Sequence, residues 1–167
     1  MKHTDIKDIV TNDDYLQKAV DVCGWVRTSR DSKTMAFLEL NDGTTLKHLQ
    51  IVIDKSTFAD ASKLPSLMKL GSALKVHGTV VPSAVKQGGV EINAESIDLL
   101  GDCPLEYPLQ KKRHTLEFMR TMPHLRVRTN TFNAVFRVRS VLAATIHNYF
   151  QERGYVYVNP VRASSFA

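Results

Sequence analysis

Val20-Asp21-Val22-Cys23-Gly24-Trp25-Val26-Arg27 has a period of two. Val20, Val22, Gly24 and Val26 share one face, and Asp21, Cys23, Trp25 and Arg27 share the other. That spacing is a strand with one face turned to a core. The period recurs downstream. Ala36, Leu38 and Leu40 alternate with Phe37 and Glu39; Leu49, Ile51 and Ile53 with Gln50 and Val52; Leu74, Val76 and Gly78 with Lys75 and His77. Val90, Ile92 and Ala94 alternate with Glu91, Asn93 and Glu95. Asn41-Asp42-Gly43 is a turn signal between the second and third strands. Between the third and fourth, a short helix is predicted around Leu64–Leu70, with Gly71 at its C′ position. Pro82 to Gly89 reads as a loop. Three strands, a helix and two strands is the order of a five-stranded OB-fold barrel, an architecture that binds oligonucleotides.

The flanks differ in character. Residues 1–18 read as a polar lead-in, with a helix expected around Asp13–Lys18. Gly101 to Pro108 reads as a linker. Thr115–Met122 predicts a short helix capped by Thr115 and stopped by Pro123. Residues 131–152 give the clearest helical pattern, with Val135, Val138, Leu142, Ile146, Tyr149 and Phe150 at helical spacing and Gly154 placed as a C′ glycine. Tyr155–Val158 then reads as a strand closed by Asn159-Pro160. The fold class expected is mainly β: an OB barrel followed by a basic linker and a partial α+β domain. The expected boundaries are 1–103, 104–128 and 129–167.

Composition bounds the class of function. The 167 residues are 43% hydrophobic and 23% charged, ordinary for a globular chain. The two cysteines, Cys23 and Cys103, are far apart and form no C-x-x-C, so neither a zinc ribbon nor a redox motif is expected and a reducing cytoplasm fits. The first ten residues hold no apolar signal region, and no run of about 18 apolar residues occurs, so no membrane partner is expected. The net charge of +5 is uneven. Residues 1–110 carry 12 Lys/Arg against 15 Asp/Glu, whereas 111–139 carry eight Lys/Arg against Glu117 alone. A basic block beside a mildly acidic domain points to a polyanion near residues 111–139, although a solvated helix face carries such charge too.

The outward face of the predicted barrel carries Trp25, Arg27, Phe37, Glu39, Gln50, Lys75, His77 and Glu91. Phe37 is an aromatic out of phase with the core, which is what base stacking requires. Gln50 offers an amide donor and acceptor to a base edge, Glu91 an acceptor, and Arg30 cationic donors. Each of these is, taken singly, a common surface residue; together on one face of an OB barrel they form a candidate site. The acidic balance of residues 1–110 suits a few specific base contacts rather than indiscriminate single-strand binding.

The residues also carry a resemblance. Val22-Cys23-Gly24-Trp25-Val26-Arg27-Thr28-Ser29-Arg30-Asp31, Phe37-Leu38-Glu39-Leu40-Asn41-Asp42-Gly43 and Leu49-Gln50-Ile51-Val52-Ile53 resemble the anticodon-binding barrel of subclass IIb aminoacyl-tRNA synthetases. Tyr107-Pro108-Leu109-Gln110-Lys111-Lys112-Arg113-His114 and His124-Leu125-Arg126-Val127-Arg128-Thr129-Asn130-Thr131 resemble the asparaginyl branch, because aspartyl enzymes usually carry a Tyr-rich Leu-Arg-x-Arg-Tyr run at the latter position. The resemblance covers about residues 15–160.

It implies an asparagine–tRNA ligase. Phe37 would stack on an anticodon base, and Arg30, Gln50 and Glu91 would read the anticodon, Gln50 and Phe37 at its central uridine. Lys111, Lys112 and Arg113 would lie at a hinge near the tRNA backbone. The helix of residues 131–152, Gly154, Tyr155–Val158 and Pro160 resemble class II motif 1, which builds a homodimer interface. The partners implied are tRNA-Asn and a second copy, not DNA. The intact enzyme would use ATP and Mg²⁺ to form an adenylate and then transfer asparagine to the tRNA ribose. The sequence ends at Ala167, before the positions of motifs 2 and 3, and residues 159–167 depart from the family pattern. No catalytic residue is therefore expected here, no ATP or Mg²⁺ binding is expected of this chain, and the chain alone is expected to be inactive. The alternatives are an aspartyl-type, non-discriminating synthetase, a stand-alone OB-fold RNA-binding module, or a regulatory paralog.

Overall fold

The alternating aliphatic positions converge on one interior. In the computed structural model, which describes residues 3–59, 61–84, 88–104 and 106–158, five strands close a barrel in the order β1-β2-β3-β5-β4. They are β1 (Ala19–Asp31), β2 (Met35–Asn41), β3 (Leu49–Asp54), β4 (Ala73–Pro82) and β5 (Val90–Gly101). All neighbours are antiparallel except β3 and β5, which run parallel. Val22, Leu38, Leu40, Leu49, Ile51, Ile53, Leu74, Val76 and Ile92 are at most 1% exposed. Burial of each such side chain is worth about 1.5–3 kcal/mol, and closure leaves the barrel no free sheet edge.

Two short helices complete the core. α1 (Ile6–Thr11) buries Ile6 and Ile9 in it. The turn after β2 receives this helix's start: the Asp42 carboxylate accepts from the Ile6 backbone N–H at 2.7 Å, and the Thr44 hydroxyl from Lys7 N–H at 3.1 Å. The lead-in is thus a helix earlier than the sequence predicts, and Asp13–Tyr15 forms only one 3₁₀ turn. Gln17 sits at φ 60°, where a right-handed helix cannot continue, and its N–H bonds to Val80 O. α2 (Leu64–Leu67), between β3 and β4, buries Leu64 and Leu67 and ends short of the predicted Leu70.

Two glycines are required by geometry. Gly71 has φ +87°, and a Cβ there would lie 2.8 Å from Cys103 Sγ. At Gly78, beside a register shift in the β4–β5 ladder, a Cβ would lie 2.1 Å from the Asn93 carbonyl oxygen. Only glycine admits either approach.

The chain divides into two compact units, residues 1–121 and 122–167. The first ends with α3 (Leu116–Arg120), where Thr115 caps the helix by accepting from Phe118 N–H as predicted, and Met119 is buried. The second holds α4 (Asn130–Gln151), capped by Thr129. Gly154 follows it at φ +82°, with Gly154 N–H bonded to Gln151 O and Tyr155 N–H to Phe150 O, the paired bonds of a Schellman stop. Tyr155–Val158 does not form the predicted strand. A strand needs a ladder partner, and the described residues of this unit supply a 3₁₀ turn and a helix.

Candidate nucleic-acid interface

The path of β1 decides which side chains meet on the barrel's outer wall. Its ladder with β2 slips between Val26 and Thr28, leaving Arg27 as an extra residue. Even-numbered positions Val20, Val22 and Val26 face inward before the bulge. Beyond it, Thr28 pairs with Glu39 and Arg30 with Phe37. Strict alternation would turn Arg30 into the barrel; the bulge re-aims it outward beside Phe37.

Two rungs result, each crossing four strands. One is Thr28–Glu39–Gln50–Glu91 and the other Arg30–Phe37–Val52–Asn93, from β1, β2, β3 and β5 in turn. Adjacent rungs lie about 7 Å apart along a strand. The structure therefore brings the four sequence-predicted residues Arg30, Phe37, Gln50 and Glu91 onto one patch. Arg30 is exposed, Phe37 and Gln50 are half-buried, and Glu91 is buried at 7% exposure. Gln50 Nε2 donates to Glu91 Oε2 at 3.1 Å. Glu39 is engaged on the other side, accepting from the Thr28 hydroxyl at 2.9 Å with His48 Nδ1 at 3.5 Å. A cavity of about 370 Å³ opens beside Gln50, lined also by Lys47, His48, Ser83, Gly88 and Gly89.

The other half of the wall has a different chemistry. Lys75 and His77 of β4, which the sequence places on the same outward face, are held by Asp21 of β1. Its carboxylate lies 2.8 Å from His77 Nδ1 and 3.2 Å from Lys75 Nζ, and Glu95 lies 3.8 Å from His77 Nε2. The His77 hydrogen bond, then that of Lys75, holds the Asp21 carboxyl below its usual range. Cys23, the cross-strand neighbour of Lys75, has its thiol pushed up by burial, which disfavours the reactive thiolate. This half is a paired ionic surface; the Phe37 half carries the aromatic and the outward amide.

Lys111, Lys112 and Arg113 are exposed in an irregular segment after the barrel. His114 anchors it, with its ring stacked on Phe118 at 5.2 Å and Nε2 at 3.1 Å from Gln110 O. In the second unit Gly154 is exposed after α4, and Pro160 lies outside the described residues. Among the described residues no group of three His, Cys, Asp or Glu side chains could hold a metal ion, and no helix is long and apolar enough to cross a membrane. Sequence reasoning missed Thr28, His48, Val52 and Asn93 as members of the patch. Thr28 was hidden by the bulge; Val52 and Asn93 were signalled only by cross-strand register, which alternation within one strand does not carry, and His48 precedes β3 and is placed by its approach to Glu39.

Comparison with known proteins agrees with the barrel fold. Residues 20–100, nearly the whole barrel, match the family described as OB-fold nucleic acid binding domain. The asparagine–tRNA ligase of Acetivibrio thermocellus is 49% identical over 160 residues, and that of Clostridium kluyveri 47% over 162; each match covers 95% of this chain and 34% of the relative. Over nearly its whole length the chain is similar to asparagine–tRNA ligases. It spans about a third of the length of the curated relatives it matches. The asparaginyl-tRNA synthetase of Pyrococcus horikoshii superposes with a TM-score of 0.81 at 21% identity, over 96% of this chain and 38% of that one. The Entamoeba histolytica aspartyl enzyme superposes with 0.75 at 19%, over 98% of this chain and 40% of its own. Those likenesses carry the fold alone. The asparaginyl assignment rests on the sequence relatives, and it disfavours the aspartyl and stand-alone alternatives.

Proposed function

We propose that the barrel reads the anticodon loop of tRNA-Asn for an asparagine–tRNA ligase. The observation that carries this reading is the pair of rungs: an aromatic ring, a guanidinium and an amide on one patch of an OB-fold wall, away from the ion-paired half. Phe37 stacks on the central base, Gln50 meets its edge, and Arg30 donates to a base carbonyl or phosphate. Lys111, Lys112 and Arg113 lie along the tRNA backbone at a hinge, so that residues 1–103, 104–128 and 129–167 serve as reader, hinge and beginning of the catalytic domain. α4, Gly154 and Pro160 belong to motif 1 and to a homodimer contact. The intact enzyme, working in the cytoplasm, activates asparagine with ATP and transfers it to the tRNA. Mg²⁺ supplies charge stabilisation there when bound, and none of the residues described here is assigned to it.

Binding of the purified chain to a tRNA-Asn anticodon stem-loop tests the reading, with a second loop whose central uridine is replaced, both at one physiological salt concentration. The native loop is expected to bind better. Phe37→Ala should cost about 1–3 kcal/mol, the worth of one stacked base. Equal, weak binding of both loops, indifferent to Phe37→Ala and Gln50→Ala, would overturn it.

A further inference from the structure

Among the described residues, Glu91 is the one charged side chain in the buried class. A buried carboxylate needs donors around it. Gln50, its cross-strand neighbour in the parallel β3–β5 ladder, supplies one from Nε2 at 3.1 Å. Glu39, on the opposite side of Gln50, is already occupied by Thr28 and His48.

We infer that Glu91 is a positioning residue: it orients the Gln50 amide so that the base beside Phe37 is accepted as uridine and refused as cytidine. This rests on the proposed reading of the anticodon by Gln50. A primary amide has two orientations related by a flip. With one Nε2 hydrogen given to Glu91, the amide is held in one orientation and offers a ligand Oε1 and the second Nε2 hydrogen in a fixed order, which matches the N3 donor and the adjacent carbonyl of uracil. The flipped amide would set Oε1 against the carboxylate, acceptor against acceptor, beside a buried charge. The orientation is thus decided by Glu91, not by the ligand. Uracil carries a donor at N3, which Oε1 accepts. Cytosine carries a lone pair at N3, so the same Oε1 meets another acceptor. A site built to take an N–H strongly rejects an analogue that lacks it. Phe37, diagonal to Gln50 on the next rung, stacks on either pyrimidine and contributes affinity without this choice.

The test uses the full chain and two anticodon stem-loops differing only by U or C at the central position. The unaltered chain is expected to prefer U by about tenfold or more, the size of one good base-edge pairing. Glu91→Gln keeps the shape but offers both a donor and an acceptor, so the Gln50 amide can turn. The preference should fall to within about twofold, with C binding tightened as well as U binding weakened. A loss of packing would weaken both loops together and leave their ratio unchanged. If Glu91→Gln melts below the assay temperature, Glu91→Asp withdraws the carboxylate by one methylene and should lower the ratio in the same direction. The inference is overturned if Gln50→Ala abolishes the U preference while the foldable Glu91 variant retains it. It is equally overturned if that variant changes selectivity at a flanking base instead, which would make Glu91 a direct reader. A U preference that survives Gln50→Ala, or none in the unaltered chain, would instead overturn the reading by Gln50 on which the inference stands.

Discussion

Asp21 and Glu91 are carboxylates on the same barrel wall with opposite surroundings. Glu91 is buried against a neutral amide; Asp21 is partly exposed between a histidine and a lysine. The pairing of Asp21 has a consequence for stability. Its folded-state pKa lies below the unfolded value, so its contribution is present above the usual carboxylate range and is lost as pH falls through the lowered value. Asp21→Asn should therefore be less stable than the unaltered chain near neutral pH. The two should converge as acid protonates Asp21, in the region below about pH 4. Urea unfolding midpoints of both proteins from pH 7 down to pH 3 check this; a constant gap across the range would contradict it. At the residue scale Phe37 and Gln50 were legible from residue type and phase, and Arg30 from residue type alone, because the bulge at Arg27 reverses its phase. The burial of Glu91 was not, because it depends on a parallel β3–β5 pairing that joins positions 41 residues apart.

Among the elements, β1 and α4 show how far pattern reading extends. The alternation from Val20 to Arg27 locates β1, but the bulge at Arg27 reverses the phase beyond it. No local residue type announces the extra position; it arises from curling a long strand into a closed barrel. α4 was readable from its helical spacing and its glycine stop, because both are local; its cap, Thr129, was not read. Its apolar side is exposed: Val138, Leu142, Ile146 and Tyr149 are each more than half exposed. A contiguous patch of this kind on one helix drives association. The chain is expected to self-associate at micromolar concentrations. Leu142→Lys with Ile146→Lys should return it to a monomer in sedimentation velocity while leaving the barrel's melting transition in place. A native chain that stays monomeric to about 100 μM, weaker than a specific small interface would give, would contradict this.

For the whole molecule, the closed barrel and its strand order follow from five alternating runs with a helix after the third. The division of its outer wall does not, because Lys75 and His77 share the phase of Phe37 and only the closed topology sets them apart. Strands β1, β2, β3 and β5 carry the aromatic and the outward amide, while β4 with its neighbours carries the Asp21–Lys75–His77–Glu95 network. The central claim is that RNA meets the first half and not the second. Backbone amide NMR shifts of the full chain, titrated with the tRNA-Asn anticodon stem-loop, test it most directly. The account predicts the largest changes at Thr28, Arg30, Phe37, Gln50 and Val52, with Asp21, Lys75 and His77 little moved. Changes centred on Asp21, Lys75 and His77, with the Phe37 patch unmoved, would contradict it.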